Sequence, residues 1–255
     1  MQKYKAIISD IDGTITLLSL HPAPNRKVKE AISALVKKNF IFSLSTGKPF
    51  FLIEHLIKDL GLTSPIIVDN GAAIYDALTK QPLWQSIMDK AKIDKIFKIA
   101  KIYNKRILIS SGKKSFDIKA NIPNHLSSTK FHIMGLTTEE ATEFIKKIES
   151  KIKDVVVVRA SAYQGEGFLD VYVTNAEATK QHSVFKFAEI LGITTREIIG
   201  IGDHYNDFPL LMACGLKVAM GNAVEDLKAI ADYIAPSVEE DGVVDVIEKF
   251  VLGIK

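Results

Sequence analysis

Two aspartates two residues apart, Asp10 and Asp12, leave a short apolar run and pass directly into Gly13 and Thr14. Burying such a pair of charges at a strand end without a compensating ion is expensive. Far along the chain a second acidic group, Gly202-Asp203-His204-Tyr205-Asn206-Asp207, follows another apolar run. If the two groups meet, three or four carboxylates repel one another unless a hard divalent cation sits between them. Magnesium accepts one or two carboxylates, carbonyls and waters, and leaves room for a phosphate oxygen. Two further polar groups have the same placement: Ser45-Thr46-Gly47-Lys48 after Ile41–Leu44, and Asp69-Asn70-Gly71 after Ile66–Val68. Hydroxyls and main-chain amides at a strand end, just before a helix, favour an anion. Lys180, near the start of a helical pattern, can offset charge on a nucleophile and on a phosphoryl group. The chemistry these residue types suit is metal-assisted handling of a phosphate ester.

The elements that must bring these groups together are legible as alternating short β-type runs and helical patterns. Ala6–Ser9 is followed by the Val28/Ala31/Ile32/Leu35 spacing, Ile41–Leu44 by Phe51/Ile53/Leu56/Ile57/Leu60, and then comes Ile66–Val68. Asn25 suits a helix N-cap, Pro49 a first turn, and Gly61 a helix end. The alternation resumes with a helix from Glu177 to Leu191 closed by Gly192, strand Glu197–Ile201, a short helix after His204, strand Leu216–Ala219, helix Val224–Ile230, strand Tyr233–Ala235 and helix Glu240–Val251. This βαβ pattern predicts one parallel sheet built from both ends of the chain, in the α/β class. Such sheets bind ligands at the carboxyl ends of their strands, which is where the four polar groups fall. Between the blocks the order changes: helical patterns at Asp89–Tyr103 and Thr138–Lys151, and β-type runs at Arg106–Ser110, Lys114–Lys119, Val155–Arg159 and Gly167–Val173. We read residues 79–173 as an inserted α+β domain, and residues 1–78 and 174–255 as the core.

The bulk properties bound the partners. With 255 residues, 47% of them hydrophobic, the chain can bury real cores without staples. Lysine and arginine (33) barely exceed aspartate and glutamate (30), so no nucleic acid or anionic membrane partner is expected. The one cysteine, Cys214, excludes an internal disulfide and fits a reducing, cytoplasmic setting; it reads as core. No stretch reaches the roughly 18 to 20 consecutive apolar residues needed to span a bilayer. A monomer or homodimer is expected.

The motifs resemble those of the haloacid dehalogenase superfamily of phosphatases, in particular its Cof-like branch of sugar-phosphate and related phosphatases. Four signatures stand in order: Asp10-x-Asp12-Gly13-Thr14, Thr46-Gly47, Lys180, and Gly202-Asp203-x-x-Asn206-Asp207. The resemblance implies a Rossmann-like core with helices on both faces and a cap inserted after the third core strand. It implies that Asp10 is the nucleophile, becoming an aspartyl phosphate, and that Asp12 is the acid and base. It assigns Mg2+ to Asp10, the Asp12 carbonyl and Asp203, with Asn206 and Asp207 in support. Thr46 and Lys180 would hold phosphoryl oxygens, and Gly13, Thr14, Gly47, Asn70 and Asn222 would border phosphate or substrate. Asp12 matters because the superfamily's ATPases and dehalogenases lack a carboxylate there. The substrate is expected to be a small phosphorylated metabolite.

Simpler readings stand beside these. Asn70-Gly71 is a favourable tight-turn pair, and Asn222 could open the following helix. The loops Ser110–Lys114 and Tyr163–Gly167 could descend over a substrate or be surface turns. A phosphomutase of the phosphomannomutase type shares the motifs, and a receiver-like phosphoacceptor module shares the sheet and acidic pocket but not the long insertion. Phosphate release distinguishes the phosphatase from the first, and turnover from the second.

Overall fold

The run Ala6–Ser9 is buried at all four positions and forms strand β1 of the protein, here a computed structural model describing residues 3–17, 23–110, 114–119, 122–123, 126, 128–162, 165 and 167–254. Continuous burial on both faces is the mark of a central parallel strand. Helix α1 (Arg26–Lys37) follows; the Asn25 side chain accepts from the Val28 amide at 3.0 Å, and Val28, Ile32 and Leu35 are its buried stripe. Strand β2 (Ile41–Leu44) leads to α2 (Phe50–Leu60), with Pro49 at its N-cap and Gly61 ending it in the left-handed conformation. Strands β3 (Ile66–Val68), β4 (Ala73–Tyr75) and β5 (Pro82–Gln85) complete this part.

The chain divides into two compact units, residues 1–84 with 180–255, and residues 85–179. The second unit contains α3 (Lys90–Ala100), β6 (Ile107–Ser110), β7 (Ser115–Asp117), β8 (Lys130–Thr137), α4 (Thr138–Lys151), β9 (Val155–Ser161) and β10 (Phe168–Asn175). Its strands form an antiparallel sheet in the order β7-β6-β8-β10-β9. Phe131, Ile133, Val171 and Val173 pack from the sheet against Ile93, Ile96, Phe144 and Ile148 of the two helices, giving this unit its own core. Helix α4 opens with a reciprocal cap: Thr137 accepts from the Glu140 amide, and Glu140 accepts from the Thr137 amide. The two polar loops at 110–114 and 163–167 centre on residues outside the described ones.

The first unit resumes with α5 (Lys180–Leu191), β11 (Ile198–Gly202), α6 (Phe208–Ala213), β12 (Leu216–Ala219), α7 (Glu225–Ile230), β13 (Tyr233–Ile234) and α8 (Gly242–Ile247). Its main sheet is parallel throughout, in the order β13-β12-β11-β1-β2, so strands from both ends of the chain lie side by side. Helix α1 packs with α2 and α8, and α5 with α6, so the sheet carries helices on both faces. Ile66–Val68, expected as one more parallel strand, pairs antiparallel with β4 in a separate three-stranded sheet. Beside the end of β2 it runs parallel as expected, through a bridge from Ser45 to Ile67 and the Thr46 amide donating to the Ile67 carbonyl at 3.1 Å. The antiparallel pairing with β4 follows from the tight turn Asp69–Gly71, which sends the chain straight back as a hairpin. No helix of the described residues is long and apolar enough to cross a membrane.

Candidate active site

Strand β1 ends where the Asp10 amide donates to the Ile201 carbonyl at 2.9 Å, so the ladder with β11 carries Asp10 to the carboxyl edge beside the loop of Asp203. Asp10, Asp203 and Asp207 each present a carboxylate oxygen within 4.8 Å of the others. Residues 193 positions apart are thus brought together by one pair of parallel strands.

Lys180, the first residue of α5, has its side chain only 1% exposed, and its ammonium donates to Asp10 Oδ1 at 2.6 Å, Asp207 Oδ1 at 2.6 Å and the Ser45 carbonyl at 2.8 Å. All three donors of the lysine are used. The second oxygen of Asp207 accepts from the Asp203 and His204 amides at 3.0 and 3.1 Å, so Asp207 shapes the loop that presents Asp203. Asp203 Oδ1 accepts from the Thr14 hydroxyl at 2.8 Å. Asn206 lies half-buried in the same turn.

Three carboxylates against one ammonium leave two negative charges in a largely dry pocket. Burial, then the charge of Asp207, raises the Asp10 carboxyl well above the ordinary carboxylate range, and Lys180 offsets this only in part. For Asp203, burial and again Asp207 push the carboxyl up to about 7, against the pull of the Thr14 hydroxyl. Burial works to lower the Lys180 ammonium, but Asp10 and Asp207 outweigh it and hold it above its usual value. Carboxyls that take up protons more readily than usual, because they are buried beside one another and Lys180 balances their charge only in part, form a candidate divalent-cation site. Hard oxygen donors with two uncompensated charges fit magnesium.

Glycine is required at one point of this edge. Gly13 has φ +82°, and a Cβ there would lie 2.2 Å from Asp203 Oδ2. Its carbonyl accepts from Asn222 Nδ2 at 2.8 Å, while Asn222 Oδ1 accepts from the Val238 amide at 2.8 Å. Both ends of the Asn222 side chain are therefore engaged within the protein, tying the loop after β12 to the Asp10 loop.

The end of β2 forms the opposite wall. The Thr46 amide donates to the Ile67 carbonyl and the Thr46 hydroxyl accepts from the Lys48 amide, both at 3.1 Å. Asp69 and Asn70 are consecutive left-handed residues, at φ 52° and 57°. The buried side-chain amide of Asn70 lies against Gly47, whose Cβ would be 3.0 Å from Asn70 Oδ1, and neither polar atom of that side chain has a hydrogen-bond partner. Backbone strain and an orphaned buried amide both carry a cost of order 1–3 kcal/mol, which marks this turn as more than a connector.

Sequence reasoning passed over Lys48 as a site residue. Its ammonium donates to Asp12 Oδ2, and both side chains are largely buried. The signal was its place at a strand end, two residues after Thr46 and facing a row of acids. Cys214 packs against the core, where burial pushes its thiol up, away from reactivity.

A family model for haloacid dehalogenase-like hydrolases matches residues 7–134 and 118–247. A 5-amino-6-(5-phospho-D-ribitylamino)uracil phosphatase of Bacillus subtilis (strain 168) is 26% identical over 251 residues, 97% of this chain and 96% of its own. A phosphoglycolate phosphatase of Archaeoglobus fulgidus is 27% identical over 256 residues, 97% of each chain. Among solved structures, a haloacid dehalogenase-like hydrolase from Bacteroides thetaiotaomicron superposes with a TM-score of 0.84 at 24% identity, over 97% of this chain and 99% of that one.

Proposed function

The chain belongs to the haloacid dehalogenase-like hydrolases and is a phosphatase, and from that membership and its carboxylate edge we propose that it hydrolyses a small phosphate monoester, a sugar phosphate or related metabolite, with magnesium and through an aspartyl phosphate on Asp10. The observation that carries this reading is the meeting of Asp10 and Asp203 around two uncompensated charges, with Lys180 gripping the nucleophile.

An Asp10 carboxylate oxygen attacks phosphorus; the Asp10–phosphorus bond forms as the bond to the leaving oxygen breaks. Asp12, in its protonated form, gives that oxygen its proton and the alcohol departs. Asp12 then takes a proton from water, whose oxygen attacks phosphorus and returns Asp10 to its carboxylate with release of phosphate. Lys180, with its three donors on Asp10, Asp207 and the Ser45 carbonyl, holds Asp10 in position and supplies positive charge beside the phosphoryl group, whose oxygens Thr46 would hold. Magnesium, held by Asp10, the main-chain carbonyl of Asp12 and Asp203 with Asn206 and Asp207 in support, would supply positive charge to the phosphoryl group. Thr14 orients Asp203, Gly13 and Gly47 leave room for close approach of the backbone, and Asn70 offers its unpartnered amide to substrate. Asn222 acts indirectly, by clamping the Gly13 loop. The inserted unit is read as the cap that selects the leaving group.

Relatives named for a phosphoribityl compound and for phosphoglycolate point to phosphate esters of alcohols, poor leaving groups for which Asp12 is needed. Purified protein is expected to release phosphate from an aryl phosphate, and from members of a panel of phosphorylated metabolites, only with magnesium. Asp10→Asn is expected to abolish release; an active Asp10→Asn protein would overturn the proposal.

A further inference from the structure

We propose that Lys48 is a positioning residue for Asp12, fixing which carboxyl oxygen moves the proton; the inference rests on the reading of Asp12 as the acid and base. Four acidic side chains crowd the edge, yet only Asp10, Asp203 and Asp207 fall within the 4.8 Å group. Asp12 stands apart from that group, bonded to a lysine of its own. The Lys48 ammonium bonds Asp12 Oδ2, with the lysine side chain 9% and the aspartate 19% exposed.

The lysine is well placed to hold rather than follow. Its amide donates to Thr46 Oγ1 at 3.1 Å, and its carbonyl accepts from the Asp69 amide at 3.1 Å, so the side chain springs from a pinned backbone. An ammonium can only donate. Whether Asp12 is charged or neutral, Oδ2 must therefore stay an acceptor, and the transferable proton is confined to Oδ1. Lys48 thus does for Asp12 what Lys180 does for Asp10: each reactive carboxylate has one oxygen gripped by its own buried lysine.

The test separates this from a phosphate-binding or merely structural role. Wild type, Lys48→Met, Lys48→Arg, Asp12→Asn and the Asp12→Asn/Lys48→Met double variant are assayed for kcat/KM with p-nitrophenyl phosphate and phenyl phosphate, whose leaving groups differ in their need for a proton. Lys48→Met is expected to lose about tenfold more on phenyl than on p-nitrophenyl phosphate, within the range general acid catalysis supplies. Lys48→Arg should restore the wild-type ratio, and in the Asp12→Asn background the Lys48 change should add nothing. If Asp12→Asn shows the leaving-group-dependent loss but Lys48→Met lowers both substrates by the same factor, the inference is overturned and Lys48 serves the phosphoryl group instead. If Asp12→Asn itself leaves the ratio unchanged, the acid assignment fails and this inference fails with it. Should Lys48→Met not fold, Lys48→Gln carries the same comparison.

Discussion

Replacing Lys180 by methionine removes the buried cation that bonds both Asp10 and Asp207. Three donor bonds of 2.6, 2.6 and 2.8 Å disappear, and the group formed with Asp10, Asp203 and Asp207 goes from two uncompensated negative charges to three. Methionine fills most of the same volume, so the loss is electrostatic rather than a cavity. Removing one partner of a buried ion pair costs about 3–5 kcal/mol. For a chain of this length each kcal/mol moves the melting temperature by roughly 2–4 °C, so the metal-free variant should melt about 10 °C below wild type. The deficit also has a pH signature. Without the ammonium, the carboxyls favour protons still more, so acid relieves the repulsion: the gap in melting temperature should be largest near pH 8 and narrow toward pH 5. Calorimetry or dye-monitored unfolding in EDTA at both pH values measures it. Melting temperatures within about 2 °C of wild type at pH 8 would refute the charge argument.

The same reasoning gives the metal-free wild type a pH dependence. Asp203 is raised to about 7 in the folded protein and Asp10 is raised too, so the folded state holds protons that the unfolded chain releases above about pH 4. The stability from the Asp203 proton is fully present below about pH 4 and is lost as pH rises through about 7, and the Asp10 proton acts in the same direction; magnesium should therefore raise the melting temperature more at pH 8 than at pH 5, and an equal rise at both would count against the site. Gly13→Ala drives a Cβ against Asp203 and strains a left-handed backbone, so activity should drop by a hundredfold or so. Gly61→Ala, also left-handed but with open space around its Cβ, should lose about 1–2 kcal/mol of stability and keep its kcat. Unfolding midpoints and steady-state kinetics on the pair decide whether the Gly13 contact matters.

Much of the core was legible because buried parallel strands are short continuous apolar runs, and the residues ending them are abruptly polar. The limits of β1, β2 and β3 can be read directly from the chain for this reason. Helix starts are harder. The helix expected from Glu177 begins at Lys180, because the Ala178 amide turns back onto Asn175 and the Thr179 amide onto Glu177. The last helix begins at Gly242 rather than Glu240, since Ser237 and Glu240 form their own reciprocal cap and Asp241 is left-handed. The antiparallel return of β3 into β4 depends on two successive left-handed residues, Asp69 and Asn70, which no apolar periodicity reports. Lys48 was passed over for a related reason: spacing shows where a lysine begins, whereas its partner is chosen by the fold that brings Asp12 across from another strand.

Acid quenching during turnover of a phosphorylated substrate with magnesium, followed by peptide mass mapping, tests directly whether Asp10 takes the phosphoryl group. A phosphoryl group on the peptide containing Asp10, absent without magnesium and absent from Asp10→Asn, is the predicted result. Turnover that persists in Asp10→Asn, or a phosphoryl group found on another residue, would contradict it.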